Sequence, residues 1–245
     1  MYRAQRIALI IPALNEEQAI AGVIGSLPDW LDEIVVVDNG STDHTAAIAA
    51  DHGATVVHES RRGYGAACLA GLTHLASGHR PDIIAFMDAD YSDDSSDLPA
   101  VLEPIVCGSA DLVIGSRVLG KADPGSLTLP QRFGNALATG LLCRLWGVQC
   151  TDLGPFRAIR FDHLARLQMD DLGYGWTVQM QARGAAAGYR ITEVPVSYRR
   201  RIGKSKISGT VRGVVGAGTK ILSTIARERL RRPTRIIEHN RIIVF

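Results

Sequence analysis

The chain has 245 residues, 46% hydrophobic and 21% charged, which fits one globular domain with a substantial core and excludes a disordered chain. The formal net charge of +2 hides a polarised distribution: residues 1–198 carry net −9, whereas residues 199–235 carry 12 Lys/Arg against the single acid Glu228. An acidic body with a basic C-terminal segment suits a polyanionic partner: phosphate groups, an anionic membrane face or nucleic acid.

Arg6–Ile11 is an apolar run closed by Pro12, which reads as a buried strand. From Asn15 the period turns helical, with Ile20, Val23, Ile24 and Leu27 on one face. Asn15 suits the N-cap of that helix, and Glu16 and Glu17 suit its positive end. Glu33–Val37 predicts a second strand closed by Asp38, and Thr42/Asp43 open a helix that stops near Gly53. Ala54–His58 predicts a third strand, Gly65–Ala76 a helix, and Asp82–Met87 a fourth strand closed by Asp88. Ser96–Val106 predicts a helix and Asp111–Gly115 a fifth strand. This alternation implies an α/β, Rossmann-like domain whose mainly parallel central sheet is flanked by helices. Beyond it, Gly120–Pro130 reads as a loop, Arg132–Trp146 as a helix and Phe156–Ile159 as a short strand. Tyr174–Ala187 reads as a helix and Arg190–Tyr198 as a strand. We expect one domain over 1–207, a basic amphipathic helix over 208–235 and a tail over 236–245.

The first apolar run is short and leads into Asn15-Glu16-Glu17, so no signal peptide is expected. No stretch reaches about 18 uncharged apolar residues, so no membrane span is expected either. Cys68, Cys107, Cys143 and Cys150 are scattered without a C-x-x-C pair. That argues against a disulfide framework or structural zinc, and for buried small hydrophobes in a reducing cytosol.

Ligands of an open parallel sheet bind at the carboxyl ends of its strands. Three strands here end in polar loops: Pro12 to Glu16, Asp38 to Asp43, and Asp88 to Asp90. Asp, Asn and Gly are also ordinary turn and cap residues, but three such loops at one edge point to a site. Asp88-Ala89-Asp90 is the sharpest, because two carboxylates just past a buried strand suit Mg²⁺ or Mn²⁺. In Arg61–Ala67, small residues allow the backbone to approach a ligand at a helix N-terminus that favours anions. It is not a G-x-G-x-x-G fingerprint, since position 68 is Cys, and Gly203-Lys204-Ser205 lacks the upstream glycine of a P-loop. Both absences weigh against a dehydrogenase or an ATPase.

Taken in order, the motifs are Ile-Pro-Ala-Leu-Asn-Glu-Glu (11–17), Val-Val-Asp-Asn-Gly-Ser-Thr-Asp (36–43), Arg-Gly-Tyr-Gly-Ala-Ala (62–67) and Met-Asp-Ala-Asp (87–90). Gly-Ser-Arg (115–117), Asp-Leu-Gly-Pro-Phe-Arg (152–157) and Arg-Ile-Gly-Lys-Ser-Lys (201–206) complete the set. Together they resemble the family 2 glycosyltransferases of the GT-A fold, and within them the polyprenyl-phosphate sugar synthases such as the dolichyl-phosphate mannose synthases. The resemblance implies that Pro12, Leu14, Glu16 and Asp38 line the nucleotide pocket, with Gly65 close to it. It implies that Asp88 and Asp90 hold a Mg²⁺ or Mn²⁺ bridging the donor diphosphate, with Ala89 packed beside them. Arg117, Arg132, Arg201 and Lys206 stand where the family gathers cations around the acceptor phosphate, and Asp152 stands near the sugar. Ser92 replaces a Gln of the mannose synthases, and Gln179 replaces a Glu and receives no role.

The implied activity is metal-dependent, inverting transfer of a hexose from a UDP- or GDP-sugar to a polyprenyl or dolichyl phosphate. A sugar-hydroxyl acceptor would need a carboxylate base, for which Asp152 is the candidate. A phosphate monoester, with a second pKa near about 6, needs cations instead, and arginines suit it by their bidentate fork. A soluble phosphate or hydroxyl acceptor is the alternative within the class, and a non-catalytic membrane-binding module the alternative outside it. Two readings stand for residues 208–226, where Val211, Val214, Val215, Gly218, Ile221, Leu222 and Ile225 share a face. One is packing on the domain or on a second copy of the chain. The favoured one is a helix lying in an anionic leaflet beside Arg227, Arg229, Arg231, Arg232 and Arg235, which makes the protein peripheral on the cytoplasmic, inner face of the membrane. The segment lacks interleaved aromatics, so nucleic acid is not an expected partner.

Overall fold

The first strand, β1 (Ile7–Ala13), is apolar on both faces, so it needs a helical layer on each. Ile7, Leu9 and Ile11 pack against α1 (Ile20–Gly25) and α4 (Leu98–Val106), while Ala8 and Ile10 pack against α3 (Tyr64–Ser77). In the computed structural model, which describes residues 1–203 and 211–231, seven strands form one sheet. The others are β2 (Glu33–Asp38), β3 (Thr55–His58), β4 (Ile83–Phe86), β5 (Leu112–Ser116), β6 (Arg157–Arg160) and β7 (Ile191–Pro195). Their order is β3-β2-β1-β4-β6-β5-β7, parallel except for β6, which runs antiparallel between β4 and β5. The expected α/β architecture with a mainly parallel sheet is the one observed.

Register explains where the polar loops gather. Ala13 pairs with Asp38, and Ile10 pairs with Phe86, so the ends of β1, β2 and β4 reach the same edge. Ser116 at the end of β5 pairs with Pro195 at the end of β7. Because β6 is antiparallel, the Asp152–Phe156 segment that enters it lies at that edge as well.

Several local expectations change. Asn15 does not cap α1: it sits at φ 51°, its side-chain oxygen accepts from Thr42 N at 2.8 Å, and the helix starts at Ile20. The helix α2 (Thr45–Asp51) likewise starts later, with the Asp43 carboxylate accepting from Thr45 N. The helix α5 (Leu129–Trp146) starts earlier, because Thr128 and Gln131 form a reciprocal capping box and Pro130 is tolerated in a first turn. A short helix, α6 (Phe161–Leu167), was not legible in the sequence: it is too short for periodicity and is held by Phe161, Leu164 and Leu167 in the core. The four thiols are free as expected, but only Cys68 is buried, while Cys107 and Cys143 are exposed.

A third apolar cluster joins α5, α7 (Trp176–Ala186) and α8 (Val211–Leu230) through Leu142, Val178, Ala182 and Ile225. Ionic bonds lock α8 in place. Arg183 reaches both Glu228 oxygens at 2.8 Å, and Gln179 donates to Glu228 and to Asp170 at 2.7 Å. Lys220 lies 3.0 Å from Asp171, which also accepts from Thr224 at 2.9 Å. Removing one partner of the buried Arg183–Glu228 pair costs about 3–5 kcal/mol. The helix therefore packs on the body, and its predicted apolar face divides: Ile225 is buried, whereas Val215 and Leu222 are exposed. Part of the basic segment is also answered internally, since Arg227 faces Asp170 and Asp171, and Arg199 pairs with Asp94. Lys206, Arg232, Arg235 and the tail 236–245 lie outside the described residues. Among those described, no helix is long and apolar enough to cross a membrane.

At the far edge Asp111 and Arg190 tie β5 to β7. Two guanidinium bonds of 2.8 and 3.0 Å hold the Asp111 carboxyl down to about 2. A carboxylate depressed below its unfolded pKa of about 3.9 stabilises the fold above that pH and loses the contribution as it protonates. The stability difference between wild type and Arg190→Leu, measured by urea unfolding at stepped pH, should thus be full at neutral pH and shrink between about pH 4 and pH 2.

Candidate active site

The loops after β1 and β2 are sealed together. Asn15 N donates to Ser41 Oγ at 3.0 Å, and Glu16 N donates to Thr45 Oγ1 at 2.8 Å. Pro12 and Leu14 are half-buried beside them, and Glu16 and Asp38 are buried. Against its burial, Asp38 is held below the usual carboxylate range by Ser41 and His58. Asn39 spans to the next loop, donating to the Glu59 and Arg61 carbonyls and accepting from Gly63 N at 2.8 Å.

The glycines at 63 and 65 have a reason other than the expected one. A methyl group on Gly63 would strike the Leu172 carbonyl oxygen, and one on Gly65 would strike that of Asp171. Ala66 N, in the first turn of α3, donates to Leu172 O at 3.0 Å. What approaches these glycines, and occupies that helix end, is the chain's own 171–172 backbone.

Past β4 three carboxylates crowd together. Asp90 is buried, and its Oδ1 accepts from Ser92 N and Ser92 Oγ at 3.0 and 2.5 Å. Asp93 Oδ2 accepts from Asp88 N at 3.0 Å, and its Oδ1 is buried without a hydrogen-bond partner. Burial, reinforced by the charge of Asp90, pushes the Asp93 carboxyl up to about 7. Burial followed by Asp90 and Asp93 pushes Asp88 well above the carboxylate range, opposed by Arg117 and Arg201. Ala89 is buried between the two aspartates. No three His, Cys, Asp or Glu side chains among the described residues group so as to hold a metal by themselves. Two aspartates with hard oxygens, beside the unpartnered Asp93 Oδ1, do fit a Mg²⁺ or Mn²⁺ that completes its shell from water and substrate phosphate.

Arg117 and Asp152 form the tightest pair of the site. Arg117 Nε and N donate to Asp152 Oδ2, both at 2.8 Å, and Nη2 donates to Oδ1 at 2.7 Å. Burial disfavours the Arg117 charge, but the Asp152 bonds outweigh it and its pKa is raised. The Tyr198 ring lies under the guanidinium, its centroid 5.0 Å away. Asp152 is placed by groups that carried no sequence signal: Glu193 accepts from Asp152 N and Thr151 N, and Asn135 on α5 holds Thr151 O and Leu153 N. Arg157, fully buried, donates to the carbonyls of Leu153, Gly154 and Thr177. Burial lowers its pKa to about 10, so it remains a cation at neutral pH.

The segment after β7 threads between the loops. Tyr198 N donates to Lys121 O at 2.8 Å, Arg199 N to Ser92 O at 2.7 Å, and Ile202 N to Asp90 O at 2.9 Å. This brings Arg201 to Asp90 and Glu16. The structure thus gathers Glu16, Asp88, Asp90, Arg117, Asp152 and Arg201. Arg132 stands exposed in the first turn of α5. Gln179, without a role in the sequence reading, accepts from Asp170 N and Asp171 N and so shapes the loop that meets Gly65.

A sheet of this order with paired aspartates past its fourth strand and a facing arginine pair defines a glycosyltransferase of the GT-A fold. Residues 8–168 match the model of glycosyl transferase family 2, and the chain belongs to that family. An uncharacterized glycosyltransferase of Mycobacterium tuberculosis is 38% identical, over 85% of this chain and 93% of its own length. The undecaprenyl-phosphate mannosyltransferase of Micrococcus luteus is 36% identical, over 86% of this chain and 90% of its own. The glucosyl-3-phosphoglycerate synthase of M. tuberculosis, solved with Mn²⁺, UDP and phosphoglyceric acid, shares the fold with a TM-score of 0.75. It is 24% identical, covering 94% of this chain and 81% of that one.

The Arg117–Asp152 geometry predicts strong coupling. Asp152→Ala leaves a buried guanidinium unpaired and should cost about 3–5 kcal/mol. The double variant with Arg117→Ala should cost less than the sum of the singles, by about 1–3 kcal/mol in a urea-unfolding cycle.

Proposed function

We propose that this glycosyltransferase moves a hexose from a UDP- or GDP-sugar to a polyprenyl phosphate, with inversion, at the cytoplasmic face of a membrane. The observation that carries the reading is the state of Asp152. Both its oxygens accept from Arg117, in three bonds of 2.7–2.8 Å, so its charge is committed to that guanidinium rather than held ready for an acceptor hydroxyl. An Asp152 engaged in that pair suits an acceptor that is already an anion near neutral pH, as a phosphate monoester is. Arg117 and Arg201 supply the cations, and Arg132 extends that charge at the start of α5. The undecaprenyl-phosphate mannosyltransferase relative supports the same acceptor class.

Asp88 and Asp90 would hold the divalent cation, which supplies Lewis-acid stabilisation of the departing diphosphate. Pro12, Leu14, Glu16 and Asp38 form the wall on which the nucleoside would rest. Arg117, oriented by Asp152 and Tyr198, holds the acceptor anion against the sugar, so that two polyanions meet in one cleft.

A lipid acceptor needs an apolar approach. Leu129, Phe133 and Leu137 form one row along α5 and are 80%, 72% and 42% exposed. Val118 and Leu119, beside Arg117, are exposed too. This row, rather than α8 alone, is the surface we assign to the bilayer.

Two measurements test the reading. With Mn²⁺ or Mg²⁺ and a panel of UDP- and GDP-sugars, nucleoside diphosphate release should require a short polyprenyl phosphate and be lost in folded Asp88→Asn. Release driven equally by a soluble phosphate such as phosphoglyceric acid would overturn the lipid acceptor. Separately, Phe133→Asp should leave the melting temperature unchanged but weaken sedimentation with anionic vesicles by about tenfold, the loss of one buried aromatic.

A further inference from the structure

Arg201 already occupies the carboxylate that a divalent cation would need. Its Nη1 lies 3.1 Å from Asp90 Oδ2 and its Nη2 lies 3.0 Å from Glu16 Oε1. The other Asp90 oxygen is bound by Ser92 of the same loop. Of the two, Oδ2 is the one held by a group that can leave. Backbone bonds at Arg199 and Ile202 pin the chain on either side, so the guanidinium is presented to Asp90 by the main chain. The grip of the side chain is nevertheless incomplete, because Arg201 Nε is buried without a hydrogen-bond partner and the side chain is 31% exposed. A buried N–H without a partner is a cost of the present rotamer that departure would relieve.

We propose that Arg201 is the resident counter-ion of Asp90, competing with the divalent cation for Oδ2 and released toward the acceptor's anion when that cation binds. This rests on Asp88 and Asp90 being the cation-holding pair. A guanidinium 3.1 Å from Oδ2 takes up one of its two lone pairs and sets a positive charge beside it, which would repel a second. The exchange keeps the acidic cluster neutralised at each stage. It makes acceptor binding follow loading of the donor side, because the guanidinium leaves Asp90 only once the cation has taken its place. It also makes the cation alone a weak ligand, strengthened when the donor diphosphate brings its own negative charge.

The test is binding of Mn²⁺ alone, without nucleotide, followed by calorimetry and by the electron paramagnetic resonance of free Mn²⁺. Arg201→Met, shown to be folded, should bind Mn²⁺ at least about tenfold more tightly than wild type, a change of about 1.4 kcal/mol. Arg201→Lys should fall between them, and adding Asp90→Asn to Arg201→Met should abolish the gain. Equal, weaker or undetectable Mn²⁺ binding by Arg201→Met would overturn the exchange. If Mn²⁺ binding with UDP present were still lost in Asp90→Asn, the cation pair would survive that result. Mn²⁺ binding indifferent to both Asp88→Asn and Asp90→Asn would instead remove the pair itself, and the exchange with it.

Discussion

Negative charge concentrated at one sheet edge is the constraint on which the rest of this structure depends. Asp88, Asp90 and Asp93 follow a single buried strand, and Glu16 and Asp152 arrive from neighbouring loops. An ion buried without a partner costs several kcal/mol, and carboxylates in contact add mutual repulsion. The fold answers with three arginines set differently. Arg117 is fixed bidentately to Asp152. Arg157 lies beneath the site on backbone carbonyls and acts only through its field. Arg201 bridges Asp90 and Glu16 from a partly exposed position. The graded freedom of these cations, from fully enclosed to half-open, is what lets the cluster exist and still accept ligands.

The same logic accounts for the packing around the site. The 196–202 segment runs between the 90–94 and 117–123 loops, because only there can its backbone bond to both while its arginines face the acids. Helix α8 follows a parallel rule on the opposite side of α7, where Lys220, Arg227 and Glu228 meet Asp170, Asp171 and Arg183. Much of the charge polarity of the chain is therefore complementarity between its own two parts. The exposed apolar row of α5 is not explained by such internal pairing among the described residues.

The strands were legible because each is a local run whose apolar residues need no knowledge of the rest of the chain. The paired aspartates were legible because they close such a run. The misreadings share a different origin. Asn15 resembles a cap, but its side chain is taken by Thr42 from the next loop. Gly63 and Gly65 resemble a ligand cradle, but the 171–172 backbone fills it. Helix α6 and the exposed Cys107 and Cys143 depend on which neighbours the fold brings or withholds.

By itself the sequence determined the α/β alternation, the edge at which chemistry gathers, and the family to which the chain belongs. All three are carried by residues close together along the chain. Only the tertiary structure decided which cation answers which carboxylate. Arg201 and Glu16 are 185 positions apart, and Arg117 and Asp152 are 35 apart across an intervening helix. Coulomb interaction depends on distance in space and on burial, and neither is written in sequence spacing.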